Sequence, residues 1–513
     1  MENKEVKTEN LNPELFEFVQ FGSKITDSKL ATKRIGYFKD AFMRFCRNKA
    51  SIAAAMIILV LVLFAIVAPI AGSTPYTETR NDTTVQKYQK LLPRNTLFEK
   101  IGIWDGTKVE DMNINNYYYN LAIGLETGLN PIREVKEEYL FQGKKYYKVK
   151  WNSYYGLGII QENFTIDQYN ALQKFQDEND IQIIFPAVTP RSGLLASDHN
   201  IWYVHDQKGN AILDKNGNFT DSYIKETANS NTYDDAYFSK MRIASDDGTY
   251  KYAILGGTEA APTYTCRISL YNYFIYKYGY EPSFLFGTDG SGYDIFTRLA
   301  SGARLSFLLA IFVASVNLVI GAIWGSIAGY YGGKTDLIME RITDILGNVP
   351  FMVVTTLVQL HLRDKVGALP SLLFAFVLTG WIGTASLVRM QFYRYKNQEY
   401  VLAARTLGAK NKRIMFKHIF PNALGTIITS SVLVIPSVIF SESSLTYLGI
   451  VNLDSDEMTS VGTMLANSRE FLRTYPHIIL FPALFISLLM ITFNLFGNGL
   501  RDAFNPSLRG TED

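Results

Sequence analysis

Long apolar segments separate the polar parts of this chain, and they restrict the folds that it can adopt. Residues 50–71 are apolar and contain no charged side chain, and a helix of that length crosses a bilayer at ~1.5 Å per residue. The other long apolar segments follow only after a polar region of roughly 200 residues. Because the bilayer interior requires backbone polar groups to be bonded internally, the pattern predicts a helical membrane protein with one large polar insertion.

The apolar segments and the insertion together define the predicted domains. The insertion, residues 73–283, is predicted to be one extracellular α+β domain between the first and second spans. Within it, Thr165 and Gln168 have the spacing of a capping box, which predicts that a helix begins there. The predicted fold class is a membrane all-α protein, in which residues 284–510 form a helical core after the insertion. Six spans are predicted, at residues 50–71, 305–331, 348–362, 369–392, 423–447 and 477–496.

Basic residues predict which side of the membrane each part occupies. The N-terminal segment 1–49 carries six lysines and arginines shortly before the first span, against the single acidic residue Asp40. Residues 389–417 hold eight more, against the single acidic residue Glu399. Because cytoplasmic loops carry an excess of Lys and Arg, the N-terminal segment and the loop 393–422 are predicted to be cytoplasmic. With six spans, both termini are then cytoplasmic, and no ordinary cleaved signal peptide is expected.

Composition and charge exclude several classes of function. The net charge is +2, from 50 basic and 48 acidic residues, and this balance argues against a nucleic-acid-binding protein. Cys46 and Cys266 fall on opposite sides of the membrane in the predicted topology, so they cannot pair. Residues 329–335 nearly match a phosphate-binding P-loop, but Ala328 stands where a glycine is required and an apolar helix, not a strand, precedes the motif. Neither ATP hydrolysis nor another catalytic activity is therefore expected of this chain.

The loop between the fourth and fifth spans has the composition of a helix rather than that of a linker. Its predicted apolar face consists of Val401, Leu402, Leu407 and Ile414. Gly408 interrupts the helix at a point where a turn or a close backbone approach would suit it. Together with Ala403 and Ala404 it forms a patch of small residues. Such a short cytoplasmic helix can dock closely into a groove of another protein.

These residues also carry a resemblance to a known family. Ala403, Ala404, Gly408 and Pro421 match the EAA loop of bacterial ABC-importer permeases, whose pattern is EAA, three residues, Gly, nine residues and Ile-x-Leu-Pro. Leu402 stands in place of the motif's Glu, and Glu399 lies one helical turn earlier. The Ile and Leu before the final proline are also absent. The longer string EYVLAARTLGA resembles the dipeptide/oligopeptide permease family, in particular its second, C-type subunit, and residues 286–306 and 497–509 resemble other segments of the same family.

The resemblance implies a function, a set of partners and a location. It implies a six-helix permease subunit of an ATP-driven peptide importer in the bacterial plasma membrane, working by alternating access. The implied partners, besides membrane lipid, are a second homologous permease subunit, two ATP-binding cassette ATPase subunits, an extracellular peptide-binding lipoprotein and the peptide substrate. No cofactor is expected on this chain, since ATP and Mg would be held by the ATPase subunits. The implied ATPase-coupling residues are Glu399, Ala403, Ala404, Gly408 and Pro421.

Glu442 is an ionisable residue near the outer end of the predicted fifth span. Such residues usually face a bundle interior, a partner or a water-filled path. One interpretation is that Glu442 shapes the outer part of the pathway or a gate. The other is that it lies at the depth of the membrane interface and is solvated.

Two other functions remain open on the sequence. The chain could be a membrane sensor whose extracellular domain binds a ligand and whose basic loop signals inward. It could also import a solute other than a peptide, such as a nickel chelate. The inserted domain lies outside the resemblance, and the hypothesis for it is that it extends the outer vestibule and helps to dock the binding protein.

Overall fold

The computed structural model describes residues 37–71, 85–188, 202–203, 215, 221–222, 243, 245–453 and 458–504. The predicted N-terminal segment 1–49 is thus described only from Tyr37 onward. The end of the predicted permease core, residues 505–510, lies outside the described residues.

Two helices precede the insertion. The first, α1 (Tyr37–Arg47), is amphipathic and carries an Asp40–Arg44 ion pair of 3.0 Å one turn apart. The second, α2 (Lys49–Ala71), has no charged residue after Lys49. Most of its large aliphatic side chains are exposed in this chain, as expected of a helix surrounded by lipid or by another subunit.

The insertion is an α+β region built on two antiparallel sheets. The first has the strand order β1-β3-β2 and the second has the order β4-β9-β5, with β8 also paired to β9. A short pair, β6 with β7, stands apart. The strands are β1 (Thr107–Asn113), β2 (Ile132–Phe141), β3 (Lys144–Asn152), β4 (Ile159–Thr165), β5 (Ile184–Phe185), β6 (Trp202–Tyr203), β7 (Asp221–Ser222), β8 (Ile254–Thr258) and β9 (Ala261–Ser269). The helices are α3 (Thr96–Glu99), α4 (Ile114–Thr127), α5 (Ile166–Asn179) and α6 (Leu270–Tyr278).

Each sheet buries apolar side chains against helices of the insertion. On the first sheet, Val149 lies opposite Glu110 in the register of β1 and β3, and Tyr147 stacks on Tyr117 of α4 at 3.8 Å. On the second sheet, α5 begins at the predicted capping box, with the Thr165 hydroxyl accepting from the Gln168 backbone N–H and the Gln168 side-chain Oε1 accepting from the Thr165 backbone N–H. The predicted start of this helix is therefore confirmed.

A buried ion pair connects the two halves of the insertion. The Arg267 guanidinium of β9 donates to both carboxylate oxygens of Glu126 on α4, at 2.8 and 3.1 Å. It also donates to the Pro186 carbonyl oxygen at 2.8 Å. Both charged side chains are buried, so the loss of either would leave an unpaired charge in the interior.

The chain enters and leaves the insertion at one point. The Arg94 N–H donates to the Phe284 carbonyl at 2.8 Å, and the Thr288 N–H donates to the Leu91 carbonyl at 2.9 Å. The Thr288 hydroxyl accepts from the Leu91 N–H at 2.8 Å. Residues 95–283 therefore emerge from a closed base.

The helical part continues through α7 (Ile295–Tyr331), α8 (Gly333–Gly347), α9 (Phe351–Val366), α10 (Ala368–Tyr395), α11 (Glu399–Thr406), α12 (Phe420–Val432), α13 (Val434–Tyr447), α14 (Val461–Asn467) and α15 (His477–Phe504). Five helical stretches of the described residues are long and apolar enough to cross a membrane, namely Lys49–Ile70, Ile295–Tyr331, Ala368–Tyr395, Asn411–Tyr447 and His477–Phe504. A sixth is present if α8 and α9, which meet at a 74° bend, form one broken span.

Glycines bring α7 and α10 into close contact. Gly321, Gly325 and Gly329 recur every fourth residue along α7, and a Cβ added to Gly321 would lie 2.7 Å from Thr384 Cβ. A Cβ added to Gly329 would lie 2.7 Å from Phe392 Cβ. Small residues at this spacing let helix backbones approach closely within a membrane. Because the contacts advance in the same direction on both helices, α7 and α10 are parallel.

The parallel arrangement of α7 and α10 requires that α8 and α9 carry the chain back along the bundle. A chain that leaves the end of α7 can begin a parallel α10 only after running back along the bundle. A Cβ added to Gly347 would lie 3.8 Å from the Ile382 side chain in the middle of α10, and the bend follows at residues 348–350. Pro350 cannot continue a helix that precedes it, which accounts for the position of the bend.

Several helix bounds differ from the predicted spans. The helical segment that runs back along the bundle begins at Gly333, whereas the predicted third span begins at residue 348. The five charged residues of α8 hide this helix from a search for apolar segments. The residues between the predicted third and fourth spans, 363–368, are helical up to Val366 and again from Ala368, which leaves only Gly367 as the connection. The helix of the second span starts ten residues before residue 305, at Ile295. The helix of the sixth span ends at Phe504 instead of residue 496.

The bundle has two chemically different ends. At one end, called the loop end, the C-terminal parts of α7, α10 and α15 lie with residues 396–419, and Phe45 of α1 contacts Phe496 with ring centroids 5.3 Å apart. At the other end, called the insert end, the insertion lies at the N-terminal ends of α7 and α15, where Phe286 stacks on Phe481 at 4.0 Å. The described N-terminal helix, the basic loop and the end of α15 therefore share one end of the bundle.

Candidate functional site

The basic loop at the loop end folds as two helical pieces joined by a glycine turn. The first piece is α11, and after residues 407–410 the chain resumes at Asn411–Arg413 and passes through a π-helical turn, Ile414–Ile419, into α12. Gly408 has a φ of +79°, and no atom lies within 4 Å of a Cβ built on it. The glycine is therefore required by the left-handed backbone of the turn, whereas space in the isolated chain imposes no limit there.

Four apolar side chains anchor the loop in the bundle. They pack against Val388 and Phe392 of α10 and against the first turns of α12, and they are Val401, Ile414, Met415 and Ile419, all buried. The Tyr330 hydroxyl at the end of α7 also donates to Asn411 Oδ1 at 2.8 Å. The loop is thereby attached to both α7 and α10.

The opposite face of the loop is exposed and apolar at its centre. Leu407 at the glycine turn is 87% exposed and Leu402 is 44% exposed, and the surrounding charged residues Arg405, Lys410, Lys412 and Arg413 are also exposed. This differs from the single apolar face predicted for Val401, Leu402, Leu407 and Ile414. The turn at Gly408 breaks the helical phase, so Val401 and Ile414 point into the bundle while Leu402 and Leu407 point out of it.

The predicted coupling residues occupy this exposed face or its margins. Glu399 lies exposed in the first turn of α11, Ala403 is exposed and Ala404 is half-buried. Gly408 is at the exposed turn. Pro421 is exposed in the first turn of α12, directly after the π-helical turn, where its missing N–H interrupts the regular helical hydrogen bonding.

A charged cluster that the sequence analysis missed lies beside the loop. Arg389 of α10 donates to both carboxylate oxygens of Asp336 on α8, at 2.6 and 2.7 Å, and to Glu340 at 2.9 Å. The Tyr393 hydroxyl donates to Asp336 at 2.6 Å, and the Lys396 ammonium donates to the Gly329 carbonyl at 3.0 Å. We call these five side chains the α8–α10 clamp. A usable signal in the sequence was the run of charges in α8 directly after an apolar span.

Glu442 lies at the insert end, enclosed by hydroxyl groups. It is fully buried, and its carboxylate accepts from Ser460 at 2.6 Å, Thr446 at 3.2 Å, and Ser306 and Ser443 at 3.3 Å. Ser306 belongs to α7, and Ser460 caps the N-terminus of α14. The interpretation of Glu442 as a solvated residue is therefore wrong, and the carboxylate instead joins α13, α7 and the start of α14.

The described residues contain no group of three or more His, Cys, Asp or Glu that could hold a metal ion. The two cysteines are far apart along the fold, with Cys46 exposed at the loop end and Cys266 buried in the second sheet of the insertion. Neither is described with a disulfide partner.

The helical segments match known transport proteins. Residues 36–93 match the N-terminal transmembrane domain of oligopeptide transport permease C, and residues 321–510 match the binding-protein-dependent transport system inner membrane component. The oligopeptide transport system permease protein OppC of Bacillus subtilis is 46% identical over 224 residues, which are 44% of this chain and 72% of that protein. The chain belongs to the OppC/DppC permease family.

Two further members of the permease family are similar to this chain over a segment of comparable length. The dipeptide transport system permease protein DppC of Bacillus subtilis is 41% identical over 44% of this chain and 69% of that protein. OppC of Haemophilus influenzae is 38% identical over 44% of this chain and 70% of that protein.

Among solved structures, a chain of the MetNI methionine ABC transporter in an inward-facing conformation aligns with a TM-score of 0.32 and 14% identity, over 40% of this chain and 96% of that one.

Family membership states what kind of subunit this is. The chain is a multi-pass inner membrane permease component, a non-catalytic subunit of an ABC transporter. The two family matches leave residues 94–320 between them, and most of that stretch is the insertion.

Proposed function

We propose that this permease subunit forms half of the translocation pathway of an ATP-driven peptide importer. A second, homologous permease subunit supplies the other half, and two ATP-binding cassette subunits hold ATP and Mg. The peptide substrate is proposed from the relatives, which are named as oligopeptide and dipeptide permeases. An extracellular peptide-binding lipoprotein delivers the peptide to the insert end.

The exposed face of the basic loop carries the coupling part of this proposal. Leu407 is 87% exposed at the tip of a loop whose other face is anchored in the bundle, so a protein that covers this leucine would move the loop as a unit. Burial of one leucine stabilises a complex by about 1.5–3 kcal/mol. The tie from Tyr330 to Asn411 and the α8–α10 clamp pass such a movement to α7, α8 and α10. This supports alternation between inward-open and outward-open states driven by the ATPases.

The proposal includes a membrane orientation in which the loop end faces the cytoplasm. The loop end carries the basic loop and the basic residues that precede α2, and a positive excess favours the cytoplasm. Helices α8 and α9 count as one broken span, which brings the total to six. Both termini are then cytoplasmic, and the insertion is extracellular.

A pair of substitutions at two strongly exposed leucines tests the coupling surface. Leu407→Asp places a charge on the proposed ATPase contact, whereas Leu140→Asp changes a leucine of the insertion that is 72% exposed. We expect Leu407→Asp to abolish peptide uptake and ATPase co-purification while the chain stays in the membrane, and Leu140→Asp to retain both. Normal uptake by Leu407→Asp would contradict the coupling role of this face.

The composition of the native complex separates the importer from a membrane sensor. A tagged chain is purified from native membranes in mild detergent, and the co-purifying proteins are identified by mass spectrometry. The importer requires a second permease and two P-loop ATPases. Recovery of the chain alone, or with a kinase, would support the sensor. Radiolabelled peptide and nickel-chelate uptake in reconstituted vesicles then separates the two substrate classes.

The insertion is proposed to extend the outer vestibule and to help dock the binding protein. Its closed base, with Arg94 N and Phe284 O 2.8 Å apart, allows residues 95–283 to be replaced by a short Gly-Ser linker. We expect this variant to assemble with its ATPases but to take up less peptide at low concentrations of binding protein. Unchanged uptake would mean that the insertion serves another purpose.

A further inference from the structure

A small loop near the base of the insertion exposes a concentrated set of apolar side chains. Residues 95–104, here called the apolar loop, begin and end side by side, since the Asn95 N–H donates to the Trp104 carbonyl at 2.9 Å. Its large outward side chains are Leu97, 77% exposed, Ile101, 71%, Ile103, 57%, and Phe98, 41%. Single exposed apolar residues are ordinary on protein surfaces, but a contiguous group usually marks an interaction site.

Aromatic contacts place the apolar loop at the level where a membrane-spanning helix begins. The Trp104 ring lies 6.3 Å from Phe286 and 6.4 Å from Phe481, and Phe98 packs edge-on against Trp104 at 5.5 Å. Phe481 is in the first turns of α15, which is long and apolar enough to span the membrane. Tryptophan is enriched at this depth, where its ring sits among lipid headgroups.

The backbone of Trp104 adopts a conformation that is uncommon for a residue other than glycine. Its φ is +53°, in the left-handed region that is strained for a residue with a Cβ. The conformation turns the indole toward Phe286 and Phe481 at the end of the bundle. The loop is therefore held against the membrane-spanning helices by its last residue.

The same cluster continues toward the lipid-facing side of the chain. One helical turn below Phe481, Phe485 lies 6.2 Å from Phe64 of α2. The outward residues of α2 are large, aliphatic and exposed, among them Val60 at 62% and Ile70 at 73%. The apolar loop and α2 are therefore connected through Phe286, Phe481 and Phe485 at the insert end.

Charges around the loop fit a position at the bilayer surface. The Glu99 carboxylate points inward, 3.5 Å from the guanidinium of Arg94, and Lys100 is the exposed charged side chain of the loop. A lysine can extend its ammonium to the headgroup layer while its methylene stem lies along apolar groups. The loop thus presents four apolar side chains without an exposed acidic residue among them.

We propose that the apolar loop inserts into the interfacial layer of the bilayer at the insert end. Leu97, Phe98, Ile101 and Ile103 lie among the upper acyl chains, and Trp104 lies at headgroup level. This second attachment, in addition to the closed base, sets the orientation of the insertion on the membrane surface. The occupant is lipid, and neither family match includes the loop.

Spin labelling of the assembled transporter in lipid nanodiscs tests this proposal. In a Cys46→Ser background, in which Cys266 stays buried, a nitroxide is attached at Ile101→Cys, and a second sample carries it at Leu140→Cys as a control of equal exposure. We expect the Ile101 label to collide more often with oxygen than with a water-soluble nickel complex, at a depth of about 5–10 Å below the phosphates. The Leu140 label should show the opposite preference.

The other outcomes overturn the proposal. Preferential collision with the nickel complex at Ile101 would show that the loop is in water. Protection from both reagents in the transporter, but not in the isolated chain in a nanodisc, would show that a partner subunit covers the loop instead of lipid. If Ile101→Cys fails to assemble, the same measurement is made at Leu97→Cys, and quenching of a fluorophore there by brominated lipid gives a second readout.

Discussion

The loop end and the insert end of the bundle differ in which side chains they expose and which they bury. At the loop end, Leu407 is almost completely exposed, while Arg389 and Glu340 of the α8–α10 clamp remain in contact with solvent. At the insert end, Glu442 is fully buried among hydroxyl groups from three segments, and Phe286 stacks on Phe481. The loop end exposes an apolar side chain that the isolated chain does not cover, whereas the buried carboxylate of the insert end is satisfied within the chain.

The difference indicates where this subunit depends on partners. A surface that leaves a leucine in water is stabilised by a protein that covers it, and its own anchoring by Val401 and Ile414 keeps it ready for contact. A buried carboxylate satisfied by four hydroxyls needs nothing from outside, but it couples the helices that it joins. Substitutions at the insert end should therefore reduce stability first, and those at the loop end should reduce coupling first.

The largest effect is expected at Glu442. Glu442→Ala removes the common acceptor of four hydroxyl donors, and at roughly 1 kcal/mol for each lost bond the stability should fall by about 2–4 kcal/mol. Glu442→Gln keeps one oxygen acceptor and should lose less. Thermal unfolding of the purified complex in detergent measures both. Unchanged stability with continuous ATP hydrolysis in the absence of peptide would instead assign Glu442 to a gate.

A smaller loss of stability, with a larger loss of function, is expected at the clamp. Arg389→Ala removes the donor to Asp336 and Glu340, and because the site is partly solvated we expect about 1–2 kcal/mol. Peptide uptake should fall more than ATP hydrolysis, since α8 would no longer follow α10. Arg389→Lys retains the charge without the bidentate geometry and should be intermediate. Equal losses of uptake and of hydrolysis would contradict a transmitting role.

At the glycine turn of the basic loop, the backbone conformation of residue 408 should affect peptide uptake more than the size of its side chain. Gly408→Val forces a β-branched residue to a φ of +79°, at a cost of roughly 1–2 kcal/mol, whereas Gly408→Asn is larger than glycine but tolerates this region. We expect valine to reduce uptake strongly and asparagine to reduce it weakly. If both residues abolish uptake equally, a lack of space against the ATPase governs the position instead.

The smallest expected effect is a labelling difference that also tests the orientation. Burial raises the pKa of the Cys266 thiol to about 12, so at pH 8 only about one molecule in ten thousand carries the reactive thiolate. Cys46 is exposed at the loop end. A membrane-impermeant maleimide should therefore modify Cys46 in inside-out vesicles and not in intact cells, and should leave Cys266 unmodified in both. Labelling of Cys46 in intact cells would contradict the proposed orientation.

Local features of the sequence were sufficient for several parts of the fold. The apolar segment 50–71 coincides with α2 because hydrophobicity alone drives a helix into the bilayer. The Thr165 capping box marks the start of α5 because its hydrogen bonds join neighbouring residues. The glycine of the coupling loop also marks a turn, since a left-handed φ depends on the residue itself.

Contacts between distant residues decided the rest. The charges of α8 hide it from an apolar-segment search, and they become compatible with a bundle only because Arg389 lies opposite Asp336. The sequence around Glu442 is equally compatible with a solvated residue and with a gate, because the hydroxyls of Ser306 and Ser460 that enclose it lie 136 and 18 residues away along the chain. By itself the sequence determined most of the membrane helices, the position of the basic loop and the family, because these depend on short-range pattern. Tertiary structure alone decided which face of the basic loop is exposed, where α8 and α9 run back along the bundle and what surrounds each buried charge, because these depend on which segments meet in space.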